Sequence, residues 1–175
     1  MTSINSTPTA RVLLAGRAFA GFANSLSEDQ FNRQPNGKWS VADTVQHLFL
    51  STRPVARLVA GPREILRQWG LPDGPSRSYD EIADVYQRTL ATGIKAPVAL
   101  SPRPDDMAVG RTIIVGRFDD VYESLATTAD GWSANDLDAY VIPHPALGKL
   151  TVREMLDFTA IHTWHHLLTV QAQLT

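Results

Sequence analysis

The sequence predicts an all-α fold, most simply four long helices packed as a bundle, with a shorter extra helix and long connections. Three observations carry this expectation. Apolar residues recur at helical spacing over several long stretches. Capping signatures open at least two of those stretches. Near the C-terminus, Met155, Thr159, His162, His166, Thr169 and Gln173 follow one another at alternating steps of four and three, the pattern of an inward helix seam.

The first helix is expected over residues 8–26, with Val12, Leu13, Phe19, Ala20 and Ala23 on one stripe and Gly16 among them. Glycine inside a helix costs roughly 1 kcal/mol relative to alanine, so Gly16 points to a closely approaching neighbour helix. Residues 27–38 read as a connection that ends in the turn signal Pro35-Asn36-Gly37. Ser40-Val41-Ala42-Asp43 then reads as a capping box that starts a second helix. Its core stripe is Val41, Val45, Leu48, Val55 and Val59, and its wet face is Asp43, Gln46, Arg53 and Arg57. Pro54 lies inside it and predicts a kink, a bulge or a break.

Glycines and prolines over residues 61–78 indicate a long excursion with one short helix at 62–69. A further helix is expected from Ser78 to about Thr92, stopping at Gly93, and another over 110–129. The stretch between these two is irregular and proline-rich, and residues 130–149 read as a connection. The last helix opens on the capping box Thr151-Val152-Arg153-Glu154 and runs nearly to the end. Length fits one domain over residues 1–175, with 1–8 as a flexible N-terminal segment.

Composition removes several function classes. With 43% apolar and 19% charged residues the chain is expected to fold rather than stay disordered. A formal net charge of −2 without any basic block argues against nucleic acid as a partner. The absence of cysteine excludes disulfides, thiolate metal ligands and a cysteine nucleophile. The first nine residues lack the layout of a signal peptide and no apolar run reaches the ~20 residues that span a bilayer, so a soluble cytoplasmic protein is expected.

The five histidines carry the functional signal. His162 and His166, four residues apart on one helix face, are placed to share one ion. The glutamate of the helical metalloprotease motif is missing, since Thr163 follows His162. His165 falls on the stripe of Phe158, Ile161 and Leu168 and reads as packing or support. The outer face carries Arg153, Asp157, Trp164 and Gln171, and a homodimer through the Trp164 face is one expectation. His47 borders the apolar stripe of the second helix beside Thr44 and Ser51, which leaves space for an ion and a ligand. From spacing alone, a hydrogen-bonded core histidine and a third metal ligand are equally good readings of His47.

The segment 36–48, Asn-Gly-Lys-Trp-Ser-Val-Ala-Asp-Thr-Val-Gln-His-Leu, resembles the start of the metal helix in the DinB-like (DinB/YfiT) superfamily. His144-Pro145-Ala146-Leu147-Gly148-Lys149-Leu150-Thr151, followed by His162-Thr163-Trp164-His165-His166, resembles that family's closing motif. The resemblance implies a four-helix bundle of up-down-down-up connectivity and a metal site formed by His47, His162 and His166. Many relatives carry glutamine three residues after the last histidine, where this chain has Thr169, with Gln171 and Gln173 nearby. Nothing here resembles a DNA-binding motif.

Three neutral imidazoles leave the full charge on a divalent ion and leave a coordination position open, which is a catalytic type of site. Zinc or nickel are the expected ions, with iron as a third choice. The resemblance implies a metal-dependent transferase using a low-molecular-weight thiol; the alternatives are a non-catalytic metal-binding or dimeric bundle and a metal-dependent hydrolase. Thr44, Ser51, His165, Thr169 and Gln173 are expected around the ligands. Asp43, Tyr122, Tyr140 and His144 are the weak candidates for a catalytic acid or base, with Asp43 better explained by its cap.

Overall fold

The computed structural model describes residues 6–174, which form a mostly helical structure with one two-stranded sheet. Helix α1 (Pro8–Ser25) is capped by Thr7, whose hydroxyl accepts from the Ala10 amide, and begins on a proline whose missing N–H costs nothing there. Residues 1–5 of the expected flexible segment lie outside the described residues, while Ser6 and Thr7 are already tied to α1. The predicted connection 27–38 contains a short helix, α2 (Glu28–Asn32), with its own capping box, and a 3₁₀ turn over Pro35–Gly37. Five residues are too few for a periodic pattern to be visible in sequence.

Helix α3 (Val41–Ala60) starts at the predicted capping box and runs through Pro54 without a break. The excursion that follows holds a 3₁₀ segment over Arg63–Trp69, then α4 (Tyr79–Ala91), a 3₁₀ turn at Val98–Leu100, and α5 (Pro104–Met107). After α6 (Arg111–Asp130) the predicted connection is instead structured: α7 (Ala134–Ala139) is followed by the hairpin β1 (Val141–His144) and β2 (Gly148–Thr151). The strands are antiparallel, with His144 opposite Gly148 and Val141 opposite Thr151. Gly148 takes φ +75°, the left-handed conformation that a three-residue hairpin loop asks of its closing residue. Helix α8 (Val152–Leu174) follows directly on β2.

The long helices pack in a ring, α1 on α6, α6 on α3, α3 on α8 and α8 on α1, and α4 lies along the other side of α8. Their inner faces bury one apolar cluster, in which Phe19, Leu48, Phe118, Leu125 and Leu156 are fully enclosed. The predicted stripe of α3 is buried throughout, but two residues assigned to its wet face are buried as well. Asp43 is buried in the cap, and Gln46 sits under α6, where its carbonyl oxygen accepts from Arg117 at 3.2 Å.

At Gly16, α1 lies close against Tyr122 of α6. A Cβ there would lie 2.7 Å from Cδ1 and 2.9 Å from Cβ of Tyr122. Overpacking costs about 1–3 kcal/mol, more than the roughly 1 kcal/mol that alanine gains in helix propensity. Gly16→Ala is therefore expected to destabilise the protein by about 1–2 kcal/mol in urea unfolding. Gly21→Ala on the same helix, with nothing within 4 Å of the added methyl, is expected to stabilise it.

The start of α8 is fixed by Glu154, a buried carboxylate. Its Oε2 accepts from the Thr151 amide at 2.9 Å, and its Oε1 accepts from the backbone and the Nε of Arg77 at 2.7 and 2.8 Å. One side chain thus caps α8 and anchors the approach to α4. Burial alone would raise the carboxyl pKa, but the Arg77 and Thr151 hydrogen bonds outweigh it and hold it below its ordinary value. A depressed folded pKa contributes stability that is present above the unfolded value and is lost as pH falls through the folded one. Glu154→Gln is expected to cost about 1–3 kcal/mol at neutral pH, with the gap from wild type closing as the solution is acidified below the carboxylate range.

Candidate metal centre

His47 comes from the second turn of α3, and His162 and His166 come from successive turns of α8. Their ligand atoms all lie within 4.8 Å of one another. The Nε2 of His162 is 3.0 Å from the Nε2 of His166 and 3.3 Å from the Nε2 of His47. Adjacent nitrogens around a zinc ion, with Zn–N near 2.0–2.1 Å, are separated by about 3.3 Å in a tetrahedron.

The alternative of a hydrogen-bonded trio fits less well. His47 Nδ1 lies 2.8 Å from the Leu100 carbonyl oxygen, which can only accept, so this ring carries its proton on Nδ1 and presents a bare Nε2. A single proton on His162 Nε2 then serves only one of its two short contacts well. A shared ion satisfies all three nitrogens at once.

Burial lowers the pKa of each ring. Desolvation is the largest cause for all three, with neighbouring imidazoles adding to it at His162 and His166, and His166 is brought down to about 3. The rings are therefore held neutral, the form in which imidazole binds metal.

The three nitrogens face a cavity of about 950 Å³. Its floor includes Trp39, whose ring lies 4.9 Å from that of His47, and Phe158, stacked on His162 at 5.3 Å and 13°. Tyr86 of α4 meets His162 and His165 edge-on, and burial pushes its hydroxyl pKa up, so it stays protonated. The connection over residues 94–101 forms one wall, and of the earlier excursion Trp69 takes part.

The seam read from the last helix lines this cavity along its whole length, from Met155 to Gln173. Thr44, Ser51, His165 and Thr169 line it too. The hydroxyls of Thr44, Ser51 and Thr169 each donate to a carbonyl one turn back on their own helix, so toward the cavity they offer acceptors.

The acid–base candidates are placed differently. Asp43 does not reach the cavity: its Oδ2 accepts from the Ser40 amide, the Ser40 hydroxyl and Gln34, which uses it up in the cap. Tyr140 lies away from the ligands with its ring against Trp132. Tyr122 is buried in the core, its hydroxyl bonded to Thr163 and its pKa pushed up to about 12 by desolvation. His144 does line the cavity, but its Nδ1 accepts from the amides of Ala146 and Leu147 at 3.2 and 3.1 Å. Backbone N–H groups only donate, so His144 carries its proton on Nε2 and is a neutral donor rather than a base.

Two features of the outer face of α8 also depart from expectation. Asp157 is buried and paired with Arg11 at 2.8 Å, and Trp164 packs partly against the core with its Nε1 enclosed.

Sequence reading did not find Leu100, Trp39, Phe158 or Tyr86 as neighbours of the ligands. Trp39 adjoins the capping box that sets α3, which is the one local hint among them.

Among the described residues no helix is long and apolar enough to cross a membrane. Across curated proteins the chain is similar to the uncharacterized protein YuaE of Bacillus subtilis (strain 168), 25% identical over 143 residues that cover 81% of this chain and 82% of the relative. No solved structure matches it. Residues 13–170, which include His47, His162 and His166, match the family model described as the DinB superfamily. The chain belongs to the DinB superfamily.

Proposed function

We propose that the protein is a metal-dependent transferase that uses a low-molecular-weight thiol, built on a four-helix bundle of up-down-down-up connectivity. The observation that carries this reading is the trio of neutral imidazoles turned toward a cavity large enough for two small reactants. A divalent ion held there, zinc or nickel in the first place, would lower the pKa of a coordinated thiol and so supply a nucleophile near neutral pH.

The chain's own residues have separate tasks. His47, His162 and His166 hold the ion, and the Leu100 carbonyl fixes the ring of His47. Trp39, Tyr86 and Phe158 exclude water around the ligands. His144 offers a fixed N–H to an oxygen of the acceptor substrate. Among the described residues that line the cavity none is Asp or Glu. This favours a thiol, acidic enough for the ion alone to activate, over hydrolysis assisted by a carboxylate base.

The test uses full-length protein made without a histidine tag. Metal content close to one ion per chain is expected, with thiol-dependent conjugation of an aryl halide that a chelator abolishes and zinc or nickel restores. Protein that stays metal-free under supplementation would refute the reading. Metal without thiol affinity in calorimetry would leave a binding bundle in its place.

A further inference from the structure

The wall of the cavity is one-sided in charge. The chain has 18 acidic residues, yet among the described residues none lines it, whereas Lys38 and Lys95 both do. The two lysines come from different segments, one just before α3 and one from the connection after α4, and both are exposed at the rim. Neither has an ion-pair partner among the described residues, in contrast to Lys149, which pairs with Asp73 at 2.8 Å. The third fixed group is the Nε2–H of His144, whose other nitrogen is committed to two backbone amides. Around these donors the lining is apolar, with Leu58, Trp69, Leu90 and the half-exposed Ile94 next to Lys95.

From this arrangement we infer that the substrate received by the cavity is an amphipathic anion, an organic acid whose carboxylate lies between Lys38 and Lys95 and whose apolar body fills the space toward the histidines. The inference rests on the reading that this cavity is the substrate site. A protein whose formal net charge is −2 repels anions in general, so a cationic, acid-free mouth is a local reversal that steers them to one place. The apolar walls add affinity for the body of the molecule. A cation of the same length meets two like charges with no carboxylate to offset them.

The probes are decanoate, decanol and decyltrimethylammonium, titrated calorimetrically into zinc-loaded full-length protein. Decanoate is expected to bind about tenfold more tightly than decanol, with an advantage that shrinks as salt is raised, and the ammonium ligand is expected not to bind. Each exposed lysine contributes roughly fivefold at most, so Lys38→Ala with Lys95→Ala should weaken decanoate about tenfold and leave decanol unchanged. Both lysines are exposed, and an unchanged circular dichroism spectrum and melting temperature confirm that the double variant is folded.

Equal binding of decanoate and decanol, or no effect of the double variant, would overturn the inference. So would decanoate binding that is indifferent to the lysines but vanishes in His162→Ala, because the carboxylate would then be seated on the ion. Thiol turnover measured on the same preparations separates the two readings. Lysine-dependent decanoate binding without turnover leaves this inference standing while the transferase reading falls, and turnover with no preference for decanoate does the reverse.

Discussion

His162→Ala is expected to abolish stoichiometric metal binding, with affinity reduced by more than the roughly 10–100-fold that loss of a supporting partner costs. His162 is the ring in short contact with both of the others, at 3.0 and 3.3 Å, so its loss leaves two nitrogens from different helices with nothing between them. His47→Ala should be nearly as severe. It leaves His162 and His166, a pair from one helix that can still hold zinc weakly through i,i+4 spacing. His165→Ala is the control: its ring borders His166 at 5.0 Å without contributing a ligand atom, and metal content near wild type is expected. The measurement is elemental analysis of untagged protein after dialysis against a weak chelator. A His162→Ala protein that keeps a full equivalent of metal would refute the assignment.

Phe118→Ala is expected to have the largest effect on stability. The ring is fully buried where α1 and α6 meet, with its centroid 4.4 Å from that of Tyr122 and 5.8 Å from that of Phe19. Removing it forfeits the burial of the ring and leaves a void that close-packed neighbours refill only in part, a loss of about 3–5 kcal/mol. For a chain of this size each kcal/mol lowers the melting temperature by about 2–4 °C, so a drop on the order of 10 °C is expected in calorimetry. Phe118→Leu, which keeps most of the volume, should recover more than half of it. Metal content well below the transition should not change, since Phe118 does not line the cavity.

How far the site was legible in sequence depends on which residues are local to one another. His162 and His166 could be paired because a helix puts residues four apart on one face whatever surrounds it. His47 could not be joined to them by that logic, and the family resemblance supplied the link that α3·α8 packing makes physically. Leu100 was out of reach. It orients His47 through a backbone carbonyl, which every residue possesses, from a stretch with no periodicity.

The fold shows the same division. Capping boxes at Ser40 and Thr151 marked helix starts accurately because a cap is made by residues within one turn. The hairpin 141–151 was hidden, since strands of four residues are too short to display alternation and its loop lacks the Asn-Gly signal. Asp157 and Trp164 were misplaced for a different reason. A helix covered by α1, α3, α4 and α7 at once has little solvent face, and a polar residue on it is buried with a partner from elsewhere, as Arg11 is for Asp157.

The 115 residues that separate His47 from His162 also set a timetable. At a synthesis rate of 5–20 residues per second, His47 joins the chain roughly 6–23 s before His162 does. During that interval the nascent protein has no paired imidazoles to offer, so early capture of whichever ion is most abundant is disfavoured. On the proposed reading, selection of the metal would fall to the finished protein, and the cavity that takes the reactants would also be the door through which the ion arrives.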